Sequence, residues 1–243
     1  MRICGTNLPK RLICLLVEDK VGTMEQYLNK IKCGDCLEFM KKLPDKCVDL
    51  VLTDPPYNIS QKSGGLRELD FGEWDKDDNH KLVFDALKEI ERICKGTIII
   101  FCGNQQFSYI YNFLENKDLI TKCLVWLKPN PSVINCEYSY VTGQELIVYA
   151  KNRNTIFNPN FKLSYFKYPF PNKRDHPTQK PIELIKELIV DCSKENDIIL
   201  DPFLGSGTTA VACKQLHRNF IGVEISEKYC EIARSRLSQD LLF

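Results

Sequence analysis

The stretch Val48-Asp49-Leu50-Val51-Leu52-Thr53-Asp54-Pro55-Pro56-Tyr57 decides how this chain folds. Its first six residues are rich in apolar and β-branched side chains, which is typical of a strand covered on both faces. An acid, two prolines and an aromatic ring follow at once, so the strand ends in a rigid turn. A second stretch repeats this arrangement, because Ile198–Leu200 is followed by Asp201-Pro202-Phe203-Leu204-Gly205-Ser206-Gly207-Thr208-Thr209. In an open α/β sheet, sites form at the carboxyl ends of strands.

Strand-like runs recur along the chain with helical periodicity between them. Apolar side chains have helical spacing in Leu82–Ile93 and Ile182–Cys192, and Pro181 suits the first position of the second helix. A last helix is predicted to begin at Ser226, whose hydroxyl can cap free amides. The alternation predicts a doubly wound, mostly parallel α/β sheet. The predicted strands are Lys30–Cys33, Asp49–Thr53, Thr97–Phe101, Cys123–Leu127, Glu145–Tyr149, Asp197–Leu200 and Phe220–Val223.

Composition is that of an ordinary soluble globular protein. With 243 residues, of which 44% are hydrophobic and 27% charged, the chain can form one large domain with a substantial core. No apolar run approaches the roughly 20 residues that a membrane span needs, so we expect a cytoplasmic protein without a cleaved signal. A net charge of only +1 argues against a protein that coats nucleic acid by charge alone.

The 12 cysteines are interpreted as free thiols in a reducing compartment, because they are scattered through strand-like and helix-like segments. Cys33-Gly34-Asp35-Cys36 has the spacing of half a zinc site. No second pair of ligands completes that site in the sequence. We therefore expect no metal.

Two segments interrupt the alternation of strands and helices. Residues 58–79 carry three glycines among polar residues, which predicts a long mobile loop directly after Tyr57. Residues 151–175 interleave basic and aromatic side chains, which can neutralise phosphates and reach base edges. A solvated insert whose rings cover a sheet edge accounts for the same pattern. Gln105 and Gln106 are further candidates for facing a nucleic acid.

The glycine-rich turn has the features of a nucleoside site. Gly205-Ser206-Gly207 predicts a tight turn that a ligand can approach closely, and Thr208 opens a helix. The following strand ends at Glu224, roughly 20 residues further on, where an acid can accept both ribose hydroxyls. The turn has neither the lysine of a phosphate-binding loop nor the GxGxxG spacing. Adenosine without a pyrophosphate therefore fits best, and the alternative is a plain strand–turn–helix corner.

The proline-rich turn has the features of a pocket for a planar amine. Pro55 and Pro56 provide no amide donors and leave carbonyl oxygens beside the Asp54 carboxylate. Tyr57 adds a flat ring on which a base can stack. Two acceptors and a ring would hold a planar group that carries an NH₂. By itself, the turn is equally well explained as a corner without function.

Together the two turns resemble those of the DNA amino-methyltransferases, which transfer a methyl group from S-adenosylmethionine to an exocyclic amine. Because the Asp-Pro-Pro-Tyr turn comes first, the order resembles the permuted β group, whose members belong to restriction-modification or orphan methylation systems. The resemblance covers most of the chain from about Ile31 and implies a Rossmann-like methyltransferase domain, 1–243. Three further segments resemble family elements, namely Gly34-Asp35-Cys36, Phe71-Gly72-Glu73-Trp74-Asp75 and His176-Pro177-Thr178-Gln179-Lys180-Pro181.

The resemblance also implies roles for the matching residues. Asp54–Tyr57 would form the catalytic pocket, and residues 151–175 a target-recognition insert. Glu224 would hold the ribose, and Lys180 would pair with the methionine carboxylate or lie in solvent at a helix start. The implied cofactor-binding set is Asp35, Cys36, His176, Thr178, Lys180, Asp201, Phe203, Gly205, Ser206, Gly207, Thr208 and Glu224, with Asp35 and Cys36 near the adenine.

The implied reaction is methylation of a base that has left the double helix. The Asp54 carboxylate and the Pro55 carbonyl would accept the amine hydrogens while Tyr57 stacks on the base. In the family, an initial Asp is assigned mainly to adenine N6 and an initial Ser to cytosine N4, so adenine is preferred. An N4-cytosine or RNA amino-methyltransferase and a nucleotide-binding module without transfer chemistry are the alternatives. Double-stranded DNA is the implied substrate, with a second copy or a cognate restriction endonuclease as candidate partners.

Overall fold

The computed structural model describes residues 24–57, 79–131, 140–171 and 179–239. Most of the predicted loop 58–79, the segment Phe71–Asp75, and the candidate site residues His176 and Thr178 lie outside the described residues. The strands are β1 (Lys30–Cys33), β2 (Val48–Thr53), β3 (Cys94–Cys102), β4 (Ile120–Leu127), β5 (Gln144–Lys151), β6 (Tyr165–Lys167), β7 (Ile198–Asp201) and β8 (Asn219–Glu224). The helices are α1 (Cys36–Met40), α2 (Asn79–Ile93), α3 (Asn104–Glu115), α4 (Ile182–Cys192), α5 (Thr208–Gln215) and α6 (Glu227–Gln239).

The strands that the structure describes form one sheet in the order β1-β8-β7-β2-β3-β5-β4-β6. Strand β5 runs antiparallel to β3 and β4, and every other neighbouring pair is parallel. This confirms the predicted mostly parallel α/β sheet. All seven predicted strands are present, whereas β6, α1 and α3 were not predicted.

The centre of the sheet is buried on both faces. Leu50 and Leu52 of β2 lie in one apolar cluster with α4, and Val51 lies in the cluster on the opposite face with α2. All three side chains are at most 1% exposed. Because burial of such a side chain stabilises the fold by about 1.5–3 kcal/mol, the apolar character of β2 explains its central position.

The carboxyl ends of β2 and β7, which lead into the two turns, lie at the same edge of the sheet. Strand β2 pairs directly with β7, so Thr53 and Asp201 end adjacent strands. Since β5 runs in the opposite direction, its first residues lie at the same edge, where Glu145 pairs with Trp126 of β4. The two turns therefore lie side by side at this edge, and β5 adds a third contributor.

The helix starts agree closely with the prediction. Helix α5 begins at Thr208 after Gly207, whose φ of 85° lies in the left-handed region that glycine tolerates. Helix α6 begins at Glu227, directly after Ser226. Pro181 is the N-cap of α4, one residue before the position predicted for it. None of the helices among the described residues combines the length and apolar character required to cross a bilayer. The nine described cysteines are free thiols.

Candidate active site at the ends of β2, β5 and β7

Both oxygens of the Asp54 carboxylate have a partner. The Tyr57 hydroxyl donates to Oδ1 at 2.5 Å, within the same turn. The ammonium of Lys180, from the segment before α4, lies 2.5 Å from Oδ2. Lys180 is buried, with only 6% of its side chain exposed, and its Nζ lies 5.3 Å from the centre of the Tyr57 ring. A lysine predicted at the cofactor thus lies beside the catalytic turn, and its pairing with a methionine carboxylate stays a prediction.

Lys180 is shared between two carboxylates. Its Nζ also lies 3.3 Å from Oε2 of Glu145, the second residue of β5. The other Glu145 oxygen, Oε1, accepts from Lys128 at 2.5 Å. The four side chains form a row of alternating charge that runs from Lys128 to Asp54, which we call the charge row. Only 17% of the Glu145 side chain is exposed, so the row lies largely out of solvent.

Burial and these ion pairs act against each other in the charge row. Burial raises the pKa of Asp54, although the Lys180 ammonium opposes that rise. Burial lowers the pKa of Lys180, but Asp54 and Glu145 outweigh it and the net pKa is raised. For Glu145 the ammonium groups of Lys180 and Lys128 outweigh burial, so its pKa is lowered. Lys180 is therefore an ammonium and Glu145 a carboxylate at neutral pH.

Gln106 holds the proline turn from behind. Its amide donates to the Pro56 carbonyl at 2.7 Å, and its side-chain oxygen accepts from the Gly103 amide at 3.3 Å. Gln106 is fully buried at 0% exposure. The prediction that it faces nucleic acid was wrong, because a buried amide needs internal partners and finds them in the turn. Gln105, its neighbour, is exposed.

Asp201 connects the two turns. Its Oδ1 accepts from the Thr53 hydroxyl of β2, and its Oδ2 from the Thr209 hydroxyl, both at 2.7 Å. The Phe203 amide also donates to Oδ1 at 3.1 Å. Burial raises the pKa of Asp201 to about 6, although these hydrogen bonds oppose the rise. The carboxylate is thus used within the protein to hold the end of β2 against the glycine turn.

Glu224 lies at the mouth of the glycine turn. Its Oε2 accepts from the Gly205 amide and its Oε1 from the Ser226 amide, each at 2.8 Å. Its backbone oxygen accepts from Gly34, which places Asp35 at the end of the adjacent strand β1. Burial raises the pKa of Glu224 while the backbone amides oppose this. Each oxygen keeps lone pairs for a further donor, such as a ribose hydroxyl.

The remaining candidates near the glycine turn are mostly buried. Ser206 is 3% and Thr208 8% exposed, and Arg236 of α6 donates to the Ser206 carbonyl at 2.7 Å. Cys36 is 7% exposed within the core, and burial raises the pKa of its thiol to about 12. Phe203 is partly buried against the core. Glu224 and Asp35 lie nearer to the surface than Ser206, Thr208 and Cys36, and the cofactor-binding roles of all five stay predictions.

The set of groups at this edge fits S-adenosylmethionine. Asp35 caps α1 by accepting from the Glu38 amide at 2.9 Å, so the ends of β1 and β8 present two acids beside a turn built on Gly205 and Gly207. An adenosine has hydroxyl and amine donors for such acceptors and no pyrophosphate that would need a lysine. The residues present therefore suit this nucleoside-containing methyl donor.

Part of the predicted insert is described, and it packs along the outer side of the sheet. Strand β6 pairs in parallel with β4, and the Trp126 indole donates to the Tyr168 carbonyl at 2.8 Å. Lys162 is paired with Asp191 and Glu187 of α4. Phe161 is fully exposed. Residues 172–175 of the insert lie outside the described part of the chain.

Cys33 lies in a group of potential ligands that does not include Cys36. Among the described residues, the trio whose ligand atoms lie within 4.8 Å of one another is Cys33, Glu227 and Cys230. Arg234 already pairs with Glu227 at 2.8 Å. The trio is explained as a polar contact between β1 and α6.

Taken together, the mostly parallel α/β sheet and the two turns that meet at one edge are the architecture of S-adenosylmethionine-dependent methyltransferases. Residues 48–235 match a family model described as a DNA methylase, that of the N6/N4 methyltransferases. The chain therefore belongs to the N6/N4 DNA methylase family.

Individual relatives agree with this assignment. The chain is 30% identical over 240 residues to the type II methyltransferase M.HpaI of Haemophilus parainfluenzae, covering 87% of this chain and 74% of that protein. It is 32% identical over 252 residues to M.HinfI of Haemophilus influenzae, covering 89% and 70%. The crystal structure of the M1.HpyAVI–SAM complex is similar with a TM-score of 0.68 at 34% identity, covering 86% of this chain and 99% of that one. The predicted DNA methyltransferase that uses S-adenosylmethionine is thereby confirmed.

Glu145 and Lys128 were missed as site residues by the sequence interpretation. Neither belongs to a motif, and Glu145 was assigned only to a strand. The available signal was the acid itself, since Glu145 is a charged residue at the start of an otherwise apolar strand. Its position became significant only once β5 proved antiparallel, because that direction brings its first residues to the active edge.

Proposed function

We propose that this enzyme transfers the methyl group of S-adenosylmethionine to the N6 amine of an adenine flipped out of double-stranded DNA. The observation that carries the proposal is the pairing of β2 with β7, which sets the Asp54–Tyr57 turn beside the glycine turn. A planar amine held at the first turn would then face a methyl donor held at the second. Asp54 as the initial residue favours adenine, by the family resemblance.

The chemistry of the acceptor is assigned to three groups of the proline turn. The Asp54 carboxylate and the Pro55 carbonyl accept the two amine hydrogens, which draws the nitrogen lone pair out of conjugation with the ring. Gln106 occupies the Pro56 carbonyl, so the Pro55 oxygen is the backbone acceptor left for the base. Tyr57 stacks on the base and recovers part of the few kcal/mol lost on flipping.

Bound S-adenosylmethionine supplies an already activated methyl group, so the protein contributes mainly position and electrostatics. Glu224 accepts from the ribose, and Asp35 lies near the adenine of the cofactor. Asp201, Ser206 and Thr208 act by shaping the turn. The Asp54 carboxylate is the nearest base for the proton that the amine must lose after methylation.

DNA is proposed to approach along the side of the sheet that carries residues 151–175. The exposed ring of Phe161 and the exposed Lys167 of β6 support this location. A second copy of the chain and a cognate restriction endonuclease are proposed as partners, by resemblance to the family.

Transfer of labelled methyl groups tests the proposal. Purified enzyme and cofactor with a tritiated methyl group, incubated with plasmid DNA and separately with RNA, should label the DNA, and the label should appear in N6-methyldeoxyadenosine after digestion to nucleosides. Label in N4-methylcytosine would overturn the choice of adenine, and label in RNA alone would overturn the choice of DNA. Sequencing that detects modified bases in DNA from expressing cells then gives the sequence context.

A further inference from the structure

We infer that Glu145 is a positioning residue for methyl transfer, which sets the charge and orientation of Asp54 through Lys180. The inference rests on the proposed function, because it concerns the carboxylate that accepts the amine. Glu145 touches neither the amine nor the methyl donor in this scheme. It acts through the one cation that it shares with Asp54.

The geometry of the charge row supports this role. Lys180 lies 2.5 Å from Asp54 and 3.3 Å from Glu145, so the shorter contact belongs to the catalytic acid. Glu145 Oε2 is buried and lies within ion-pair distance of the Lys180 ammonium. That ammonium helps to lower the pKa of Glu145 and so stabilises its carboxylate. Because Lys180 serves both carboxylates, Glu145 competes with Asp54 for its positive charge.

The charge balance of the row explains how the interaction of Glu145 with Lys180 affects Asp54. Two ammonium groups and two carboxylates alternate in the row, which is formally neutral. Without Glu145, Lys180 would pair with Asp54 alone and withdraw its charge from the amine. Without Lys180, Asp54 would lose the donor that fixes Oδ2. The pair thus keeps Asp54 held in place but still strong as an acceptor.

Position in the sheet assigns the row to the side of the target base. Glu145 belongs to β5 and Lys128 directly follows β4, beyond β3 from Asp54, whereas the glycine turn and Glu224 lie on the other side of β2. Lys180 Nζ also lies 5.2 Å from the centre of the Phe101 ring of β3. Changes to Glu145 should therefore affect transfer much more than cofactor affinity.

Opposite pH shifts distinguish this role from a structural one. Glu145 raises the pKa of Asp54 and Lys180 lowers it. Because transfer requires the Asp54 carboxylate, Glu145→Gln should move the acid limb of the rate to lower pH, and Lys180→Gln to higher pH. The other groups that face Asp54 are unchanged in both variants, namely Tyr57 in its own turn, Cys102 of β3 and Asp201 of β7.

The experiment measures single-turnover methyl transfer to DNA against pH, together with S-adenosylmethionine affinity by calorimetry. Glu145→Gln should bind the cofactor like the wild type and transfer up to about 100-fold more slowly, as expected when a reacting group is misplaced. Glu145→Asp should restore part of the rate. Glu145→Gln should have no further effect in a Lys180→Gln background. Glu91→Gln removes a distant acid that pairs with Lys46 and is the matched control, with unchanged kinetics.

Three results would overturn the inference while leaving the proposed function intact. They are an unchanged rate and pH profile in Glu145→Gln, shifts of the two variants in the same direction, and additive losses in the double variant. If Glu145→Gln does not fold, Lys128→Gln provides the test. Without Lys128, Glu145 attracts Lys180 more strongly and away from Asp54, so the pKa of Asp54 rises. The acid limb of the transfer rate should then move to higher pH. If the acid limb of Lys128→Gln does not move, the inference is also overturned. A wild type that methylates no DNA would instead contradict the proposed function.

Discussion

In the proposed mechanism, Asp54 is the main acceptor for the amine. Its two oxygens already receive a hydroxyl and an ammonium, and each keeps lone pairs for a further donor. An acceptor held from both sides does not have to reorganise when the amine arrives. Such prior organisation is usually the largest electrostatic contribution to catalysis.

Removing that carboxylate should stop the reaction without stopping cofactor binding. We predict that Asp54→Ala lowers the single-turnover transfer rate at least about 100- to 1,000-fold, the usual cost of a lost electrostatic stabiliser. Cofactor affinity by calorimetry should stay close to that of the wild type, because Glu224 and the glycine turn are untouched. Asp85→Ala, which removes an exposed acid paired with Lys88, is the control. If Asp54→Ala weakened methyl transfer and cofactor binding to the same degree, Asp54 would instead belong to the cofactor site.

Asp201 should reveal its burial through pH-dependent stability. Its pKa is about 6 in the folded chain against an ordinary 3.8, so the folded state binds more protons between these values. Stability contributed at Asp201 therefore falls as pH rises from about 4 to about 6. Relative to Asp201→Asn, the wild type should lose up to about 3 kcal/mol of unfolding free energy across that window.

Urea unfolding of both proteins at pH 4 and pH 7 measures the Asp201 effect. The exposed acid Asp45 offers a control, because Asp45→Asn removes a carboxylate that is 74% exposed and should lack this large dependence. A wild type that gains stability relative to Asp201→Asn on going to pH 7 would contradict the assigned direction.

At the scale of elements, the glycine turn depends on its contact with α6. A Cβ added to Gly207 would lie 2.7 Å from the Cβ of Ala233, and the glycine φ is +85°. We predict that Gly207→Ala lowers the free energy of unfolding by about 2–4 kcal/mol, through left-handed strain and overpacking. Cofactor affinity should fall as well, since the turn must shift away from α6.

Chemical denaturation and calorimetry of Gly207→Ala check this, with Gly143→Ala for comparison. A Cβ at Gly143 meets its nearest atom, the Lys128 carbonyl oxygen, at 3.9 Å, which is ordinary contact. Equal stability losses in the two variants would show that the α6 contact does not limit the turn.

The elements that sequence could predict are those whose pattern is set locally. Strands such as β2 and β3 carry continuous apolar runs because both of their faces are covered. Strand β6 has only three residues and owes its existence to the neighbouring β4. Helix α1 has five residues, too few for a period to be visible. Helix α3 mixes aromatic and polar residues along its length, so its sequence was not interpreted as a helix.

The residues of the candidate site also divide into those that the sequence predicts and those that it does not. Asp54–Tyr57 and the glycine turn were predictable because each motif needs particular residue types at consecutive positions. The charge row was not, since Lys180 comes from a segment 126 residues away from Asp54 and Glu145 from an antiparallel strand. Strand direction and side-chain pairing across such distances depend on tertiary structure. Gln106 was predicted to face nucleic acid but is buried, and its burial likewise depends on tertiary structure.

At the scale of the whole molecule, the net charge of +1 requires DNA binding to depend on a local surface. Lys167 of β6 is exposed, whereas Lys162 is paired with two carboxylates. We predict that Lys167→Gln weakens DNA binding and reduces the slope of log affinity against log salt by about 1, as for loss of one phosphate contact. Lys162→Gln should leave that slope nearly unchanged, because its charge is already neutralised.

Fluorescence anisotropy of labelled duplexes at several salt concentrations measures both slopes. The variants differ by one positive charge each, so overall charge cannot explain a difference between them. Equal slopes in Lys167→Gln and the wild type would move the DNA surface away from residues 151–175.

The bond between Thr53 and Asp201 joins residues 148 positions apart in the chain. A ribosome therefore completes the proline turn long before it has made the strand that supports it. In the proposed scheme, any chain truncated before Asp201 contains the residues assigned to the base but lacks the turn assigned to the methyl donor. Such a fragment should therefore transfer no methyl group.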